Sequence, residues 1–405
     1  MSTPTPSLED FTREALDFVG AHQKRATHDA SLEPTYSVLP EKPREVEERE
    51  LAEALAWRKT TFDAGFGWVD GPGAHGGRDL PPAYADAYRG VERLFDVPDE
   101  AYTRFSVGIL CPALLEHADP ALAAEMLRPL RRTDLVACQL FSEPGAGSDM
   151  AAARTRARLD GQEWVVDGQK VWTSGAHYSE VGLLLARTEP GSRRNAGLTA
   201  FLIDMDQPGI EVRPIRQMTG GASFSEVFLD GARVPDHRRV GEVGQGWSVI
   251  MTTMRFERAV IGTDGGIDLV LLDQLARLAR DEGLGEDSAT LDALGDILVR
   301  GRSAAAMTQE FLARANGGPG PEMSMSKLLL TDNLGRVAQT AHDLLDERMT
   351  VRRDPEFAWH QLALSLEGLR IGGGTDEIMR TIVAERVLGL PRTPVPAAAP
   401  TKRSL

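Results

Sequence analysis

The sequence predicts an α+β multi-domain chain in which helices come first, a compact β-domain follows, and helices return. Three observations carry this. Before residue 133, apolar residues recur at helix spacing in LEDFTREALDFVGAHQ and ALAAEMLRPLRR. From about Leu135 the texture changes to short alternating or β-branched runs. After Gly241 to Gly246 the helical period resumes and persists to about Leu388. The expected boundaries are 1–133 for an N-terminal helical domain, 134–240 for a central β-domain and 241–392 for a C-terminal helical domain. The remainder, 393–405, is Pro- and Ala-rich and is expected to be disordered.

Taken in order, a Pro-containing segment near Leu39 to Pro43 interrupts the first helices. The strand candidates are LVACQLF, ARTRARL, EWVVDGQKVWTS, GLLLART, GLTAFLIDM, IEVRPIRQ and SEVFLDGARV. Within the third, Asp167-Gly168 is expected to be a hairpin turn, because a tight turn needs positive φ values that Gly tolerates and Asp allows. Trp172 and Ser174 would then lie on a strand beyond that turn. In the C-terminal part, loops are expected at GGPGPE and VRRDPE.

The 405 residues suffice for a substantial core, and the net charge of −15 disfavours a nucleic-acid or anionic-membrane surface. Only two cysteines occur, Cys111 and Cys138, which argues against a disulfide scaffold and a thiolate metal site. His75, His117, His177 and His360 show no short metal-ligand spacing, so no metal is expected. The N-terminus lacks signal-peptide character, and no run approaches the roughly 18 apolar residues of a membrane span. A cytoplasmic location is expected. Gly71-Pro72-Gly73-Ala74-His75-Gly76 spells a dinucleotide fingerprint, but Pro72 removes a donor and the next helix starts later, near Pro81-Pro82. It reads as a surface turn.

Two motifs carry more. QLFSEPGAGSDM, Gln139 to Met150, joins an apolar run to a Ser-Glu-Pro-Gly turn, and RIGGGTDEIMRTIVAERVLGLPR spans Arg370 to Arg392. Together they resemble the flavin-contacting and C-terminal signatures of the acyl-CoA dehydrogenase family, a resemblance that extends from Gly76 to Arg392. It implies an N-terminal helical domain, a central β-domain and a C-terminal four-helix bundle, together with FAD as cofactor and an acyl-CoA substrate. It also implies an electron-transfer flavoprotein as electron acceptor. Carried over by position, Gln139, Phe141 and Ser142 border the isoalloxazine, with Trp172 and Ser174 on a second contacting strand. Gly147 and Ser148 border the thioester and pantetheine, and Thr375 and Glu377 lie at the ribose and adenine end. A flavin's pyrimidine edge needs hydrogen-bond partners and its face needs flat apolar cover, which this strand end and Trp172 supply. Thr375 also reads as an N-cap, with Asp376 and Glu377 in the first turn of the helix it opens.

Oxidising an acyl thioester to its enoyl product needs a carboxylate to remove the α-proton while a hydride leaves the β-carbon for flavin N5. Many family members place that Glu one residue before the Gly-Thr of the C-terminal block, where this sequence has Gly373. A branch that includes isovaleryl-specific and long-chain enzymes places it on an earlier helix, and here MRFERAVIG puts Glu257 at that position, followed by the family's usual Arg, Arg258. The alternative for Glu257 is an ordinary helix carboxylate paired with neighbouring arginines. As a base between apolar neighbours it is expected to have a raised pKa. In the family a backbone N–H at the Gly373 position, with a ribityl hydroxyl, polarises the thioester oxygen, and Gly keeps that N–H. Its small size predicts acceptance of branched or ring-bearing acyl groups.

The resemblance weakens in LLDQLARLARDEGLGED and AHDLLDERMTVRRDPEFAWHQ, which lack the glycines that elsewhere reach a neighbour's FAD. Similar losses occur in an actinobacterial-like branch that forms heterotetramers of two dehydrogenase chains, some acting on steroid side-chain thioesters. A homodimer, a homotetramer and a heterotetramer therefore all stay open. Two rival functions do as well: a flavin monooxygenase or oxidase on the same fold, and a flavin-free partner subunit. Trp247 and Trp359 are expected in the core or an interface, and Arg193-Arg194 in a solvated loop.

Overall fold

A computed structural model describes residues 5–26, 42–192, 194–263, 267–314, 320–352 and 357–392, without the side chains of 258–263 and 267–268. The expected Pro-containing interruption up to Glu41, part of each expected C-terminal loop, Arg193 and the 393–405 tail lie outside the described residues. So does the Arg258 side chain.

The N-terminal part packs α1 (Leu8–His22), α2 (Arg44–Asp63), α3 (Pro82–Glu92), α4 (Cys111–His117) and α5 (Pro120–Arg132). Ser7 caps α1 by accepting the Asp10 N–H, and Asp119 caps α5 by accepting that of Ala121. Phe11, Ala15 and Val19 occupy one face of α1 and are fully buried against Phe66, Tyr88 and their neighbours. The Gly71 to Gly76 segment forms a short 3₁₀ turn, Gly73–His75, with α3 beginning only at Pro82, as a surface turn requires.

One eight-stranded sheet follows: β1 (Ala137–Leu140), β2 (Arg156–Asp160), β3 (Glu163–Ser174), β4 (Val181–Arg187), β5 (Leu198–Asp204), β6 (Ile210–Ile215), β7 (Phe224–Pro235) and β8 (Arg239–Val240). Its order is β6-β7-β3-β2-β4-β5-β8, with β1 parallel to β4. Strands β4 and β5 are apolar at nearly every position because both faces are covered. Leu183 and Leu185 pack towards the N-terminal helices, Leu184 and Ala186 into the β-domain's own core.

The structure corrects one expectation. Asp167-Gly168 is no hairpin turn; it lies inside the continuous strand β3, and the turn is Gly161-Gln162, between the paired Asp160 and Glu163. The signal at Asp167-Gly168 belongs to an irregularity in β3–β7 pairing, where β7 carries one extra residue and Gly231 donates its N–H to Asp167 Oδ1 at 3.0 Å. The short strand β8 carries no pattern of its own and was not among the sequence candidates.

The remaining helices are α6 (Gly246–Thr263), α7 (Ile267–Asp281), α8 (Ser288–Arg314), α9 (Met323–Leu345), α10 (Phe357–Ile371) and α11 (Asp376–Ile382), which runs into a π-helical turn, Val383–Val387. Helices α7 to α10 share a core of Leu275, Ile297, Leu334, Val337 and Leu362, with Trp359 buried among them. Helix α6 belongs to both worlds. Its Val249, Ile250 and Met254 enter the cluster formed by the N-terminal helices and the sheet, Trp247 packs against that cluster, and its outer face packs on α9. Gly246 permits this, since a Cβ there would sit 2.6 Å from the Thr199 carbonyl carbon of β5. The architecture is the expected one: N-terminal helices, a central sheet and a C-terminal helical bundle.

Candidate functional site

The Ser142-Glu143-Pro144-Gly145 turn is closed by reciprocal backbone hydrogen bonds between Glu143 and Ala146, each 3.0 Å. Beneath it lies an ion pair. Lys170 is fully buried in β3 and its Nζ donates to Glu143 Oε1 at 2.8 Å and to the Phe141 carbonyl at 3.0 Å. Glu143 also accepts the backbone N–H groups of Arg154 (2.6 Å) and Thr155 (2.9 Å). Burial lowers the ammonium pKa of Lys170 to about 8, against the opposing charge of Glu143. The Glu143 carboxyl is held below its usual range, because Lys170, with hydrogen bonds from Arg154 and Thr155, outweighs its desolvation.

The turn and β3 meet edge to edge, since Val171 N–H donates to the Ser142 carbonyl at 2.9 Å. Along β3 the buried side chains are Trp164, Val166 and Lys170, all at even positions; beyond the second pairing irregularity, between Lys170 and Thr173, the buried one is Thr173. One extra residue has reversed the alternation. Trp172 and Ser174 are thereby turned outward. Trp172 takes φ +61 and leaves 58% of its surface exposed, edge-on to Phe224 at 5.9 Å. A bulky residue in the left-handed region costs about 1–2 kcal/mol, which the irregular pairing of β3 must offset. The exposed indole thus lies on the strand that meets the Ser142 turn, with Ser174 two residues beyond it. Gln139 is half-buried in β1, Phe141 is buried, and Gly147 and Ser148 are exposed beyond the turn.

A second group forms in the bundle. Glu257 lies on α6, one turn past Met254, and Met254 shares a buried cluster with Phe141, so the turn and the helix have a common wall. The Glu257 Oε2 atom is buried, and the charge of this carboxylate reaches Lys327 of α9, where it favours the ammonium form. Lys327 is 1% exposed. Its Nζ donates to the Gly374 carbonyl (2.7 Å), the Arg370 carbonyl (3.1 Å) and Asp376 Oδ1 (3.2 Å). Desolvation lowers the Lys327 pKa, and Asp376, Glu377 and Glu257 oppose it. Asp376 also accepts from Thr331 Oγ1 (3.2 Å) and Arg370 Nε (3.2 Å).

Gly373 and Gly374 take φ +65 and +94, a path that residues with a Cβ rarely follow. Among the described residues, the Gly373 N–H donates to no backbone partner. Thr375 caps α11, accepting the Ile378 N–H at 3.2 Å. Glu377 is exposed in its first turn, 3.6 Å from Arg380, and its carboxyl sits below the usual range, chiefly through a backbone hydrogen bond. Gln361 Nε2 donates to the Thr219 carbonyl at 3.0 Å, tying α10 to the loop between β6 and β7.

Sequence reasoning singled out neither lysine. Lys170 betrays itself only by falling in register with Trp164 and Val166, Lys327 by interrupting the small and apolar run MSMSKLLL. Among the described residues no group of three or more His, Cys, Asp or Glu could hold a metal ion, and His117 and His177 are instead bonded to Thr252 (2.8 Å) and Glu47 (3.2 Å).

Residues 138–232 match the description acyl-CoA dehydrogenase, middle domain, and residues 244–388 match acyl-CoA dehydrogenase, C-terminal domain. Acyl-CoA dehydrogenase IpdE1 of Mycobacterium tuberculosis is 39% identical over 356 residues, 85% of this chain and 90% of that protein. The chain belongs to the acyl-CoA dehydrogenase family. IpdE1 of Mycolicibacterium smegmatis is 36% identical over 364 residues, covering 85% and 90% respectively. In fold, the dehydrogenase resembles the Tcur3481-Tcur3483 steroid ACAD, with TM-score 0.74 and 23% identity over 97% of this chain and 100% of that one. It also resembles the ChsE4-ChsE5 complex from Mycobacterium tuberculosis, with TM-score 0.73 and 22% identity over 97% and 100%. This acyl-CoA dehydrogenase is an oxidoreductase of a family that uses FAD. Among the described residues, no helix is long and apolar enough to cross a membrane.

Proposed function

We propose that this dehydrogenase converts an acyl-CoA thioester to the trans-2-enoyl thioester, with Glu257 removing the α-proton. The observation that carries the reading is that α9 serves both parts: its buried Lys327 holds the Gly372–Gly374 loop, and α6, the helix that bears Glu257, packs against it. The base-bearing helix and the loop that would polarise the substrate thus share α9 as a common support. When bound, FAD supplies the acceptor for the β-hydride and passes the electrons on to an electron-transfer flavoprotein. Gln139, Phe141, Ser142, Trp172 and Ser174 would hold the flavin ring, with Thr375 and Glu377 at its far end. Gly147, Ser148 and Arg258 would border the thioester, and the Gly373 N–H would donate to its oxygen.

The absence of a side chain at Gly373 favours bulky, branched or ring-bearing acyl groups, in keeping with the steroid ACAD whose fold this chain shares. Glu257→Gln in the FAD-loaded protein tests the base. The flavin should stay bound and its bleaching by substrate should slow by at least about 100-fold; bleaching at the parent rate refutes the assignment.

A second reading concerns assembly. Residues 271–287 and 341–361 lack the glycine-rich segments expected to reach a neighbour's FAD, which favours a hetero-oligomer with a second dehydrogenase chain. About one FAD per chain in a homogeneous oligomer would exclude it. A colourless or half-loaded preparation that takes up FAD on co-expression with such a chain would support it.

A further inference from the structure

Lys327 poses a physical question. An ammonium taken out of water costs several kcal/mol, and a methionine of similar length would fill the same space without that cost. What the lysine alone provides is three donors, and all three are used. Two go to the Arg370 and Gly374 carbonyls, which stand on either side of Ile371 to Gly373, and the third goes to Asp376, the first residue of α11. The Arg370 carbonyl belongs to the last turn of α10, where the helix dipole favours a cation. One ammonium therefore clamps both ends of the glycine loop. It does so from α9, the helix against which α6 packs.

We propose that Lys327 is a positioning residue for the dehydrogenation: its ammonium fixes the Gly372–Gly374 loop, so that the Gly373 N–H faces the thioester oxygen, at a set distance from Glu257. This rests on the reading of Glu257 as the base. A loop with φ of +65 and +94 at successive glycines has many other conformations open to it, and two anchored carbonyls remove most of them. The negative charge of Glu257 also favours the ammonium form of Lys327. The other charged groups around this seam are Asp376 and Glu377 of α11 and Arg370 at the end of α10. On the α4 side, Arg255 of α6 is engaged by Glu116 at 2.6 Å, and His117 is bonded to Thr252. Lys327 is the cation that the described contacts tie to both ends of the loop, and the charge of Glu257 favours its ammonium form.

The test uses the FAD-loaded protein and anaerobic stopped-flow reduction by an accepted acyl-CoA. Three variants are compared: Lys327→Met, Lys327→Met with Asp376→Asn to avoid a stranded buried carboxylate, and Lys327→Arg. FAD content and melting temperature are measured alongside. The expected result is a reduction rate at least about tenfold lower with little change in substrate affinity. In the methionine variants the acidic limb of the pH profile should move up by about one unit, because a nearby cation favours the ionised carboxylate. Lys327→Arg should keep the limb in place yet remain slow, since a planar fork does not reach both carbonyls in the same way. Parent-like rates and pH profiles with only a lower melting temperature would overturn the proposal. Should the methionine variants lose FAD, the arginine variant decides: parent-like rates in it would overturn the proposal too. Glu257→Gln run in parallel separates the two readings: if it too reduces at the parent rate, the base assignment fails rather than the positioning role alone.

Discussion

Lys170 and Glu143 form an ion pair of 2.8 Å in which the lysine is wholly buried and the carboxylate nearly so. Ser142 and Trp172, the two residues that flank a flavin ring in the proposed site, sit one position from Glu143 and two from Lys170. Removing one partner strands the other charge. Lys170→Met or Glu143→Gln should each destabilise the fold by about 3–5 kcal/mol and empty the protein of FAD. The two substitutions together should recover only about half of the lost stability. The shortfall comes from the backbone N–H groups of Arg154 and Thr155, each of which Glu143 meets with one carboxylate oxygen. The amide introduced by Glu143→Gln keeps a single acceptor oxygen, so one of those two donors goes unmet. Thermal melts and the visible flavin spectrum of the three variants check this.

Trp172 sits at φ +61 with most of its ring exposed, so its backbone strain and its contact role separate cleanly. Trp172→Gly should make the FAD-free protein about 1 kcal/mol more stable than Trp172→Ala does, because glycine tolerates the left-handed region. Both variants should bind FAD at least about tenfold more weakly. Equal melting temperatures for the two FAD-free variants would contradict the strain argument.

Glu92 sits in the N-terminal core, where its Oε1 accepts the Trp57 indole N–H at 3.2 Å, and burial pushes its carboxyl up to about 7. The folded state then holds a proton that the unfolded chain has released, between about pH 4.5 and 7. Stability from this group is present below that window and is lost as pH rises through it, by at most about 3 kcal/mol. In Glu92→Gln, the slope of unfolding free energy against pH between about 5 and 7.5 should be shallower than in the parent. Denaturant titrations at the two pH values measure it.

Both thiols are buried, and desolvation raises Cys111 to about 11 and Cys138 to about 12. Neither should react with a thiol reagent at about pH 8 in the folded protein, and both should react once it is unfolded. Mass spectrometry after a timed pulse of iodoacetamide gives the answer.

The order of the domains was legible because it follows from side-chain period, which is local. The strand GLLLART reads as apolar on both faces and is buried on both, and Thr375 reads as a cap and acts as one. Asp167-Gly168 misled because a turn and a bulge draw on the same residues, and only the partner strand decides between them. The two buried lysines were hidden for a related reason. A lysine is ordinarily a surface residue, and what reverses that for Lys327 is Asp376, 49 positions further along the chain. The packing of α6, which carries Glu257, on α9 likewise depends on residues far along the chain, which no pattern within MRFERAVIG encodes.

The reversal of alternation in β3 makes the spacing between Lys170 and Thr173 a matter of counting rather than chemistry. Deleting Val171 would restore an ordinary ladder with Thr173 still opposite Ser225 and Ser174 still outward, but it would erase the irregularity that sets Trp172 at φ +61. Adding one would do comparable harm. Divergence in this strand can therefore proceed by substitution but not by change of length, and insertions belong instead in turns such as Thr188 to Gly197, whose ladder with its neighbours has already closed.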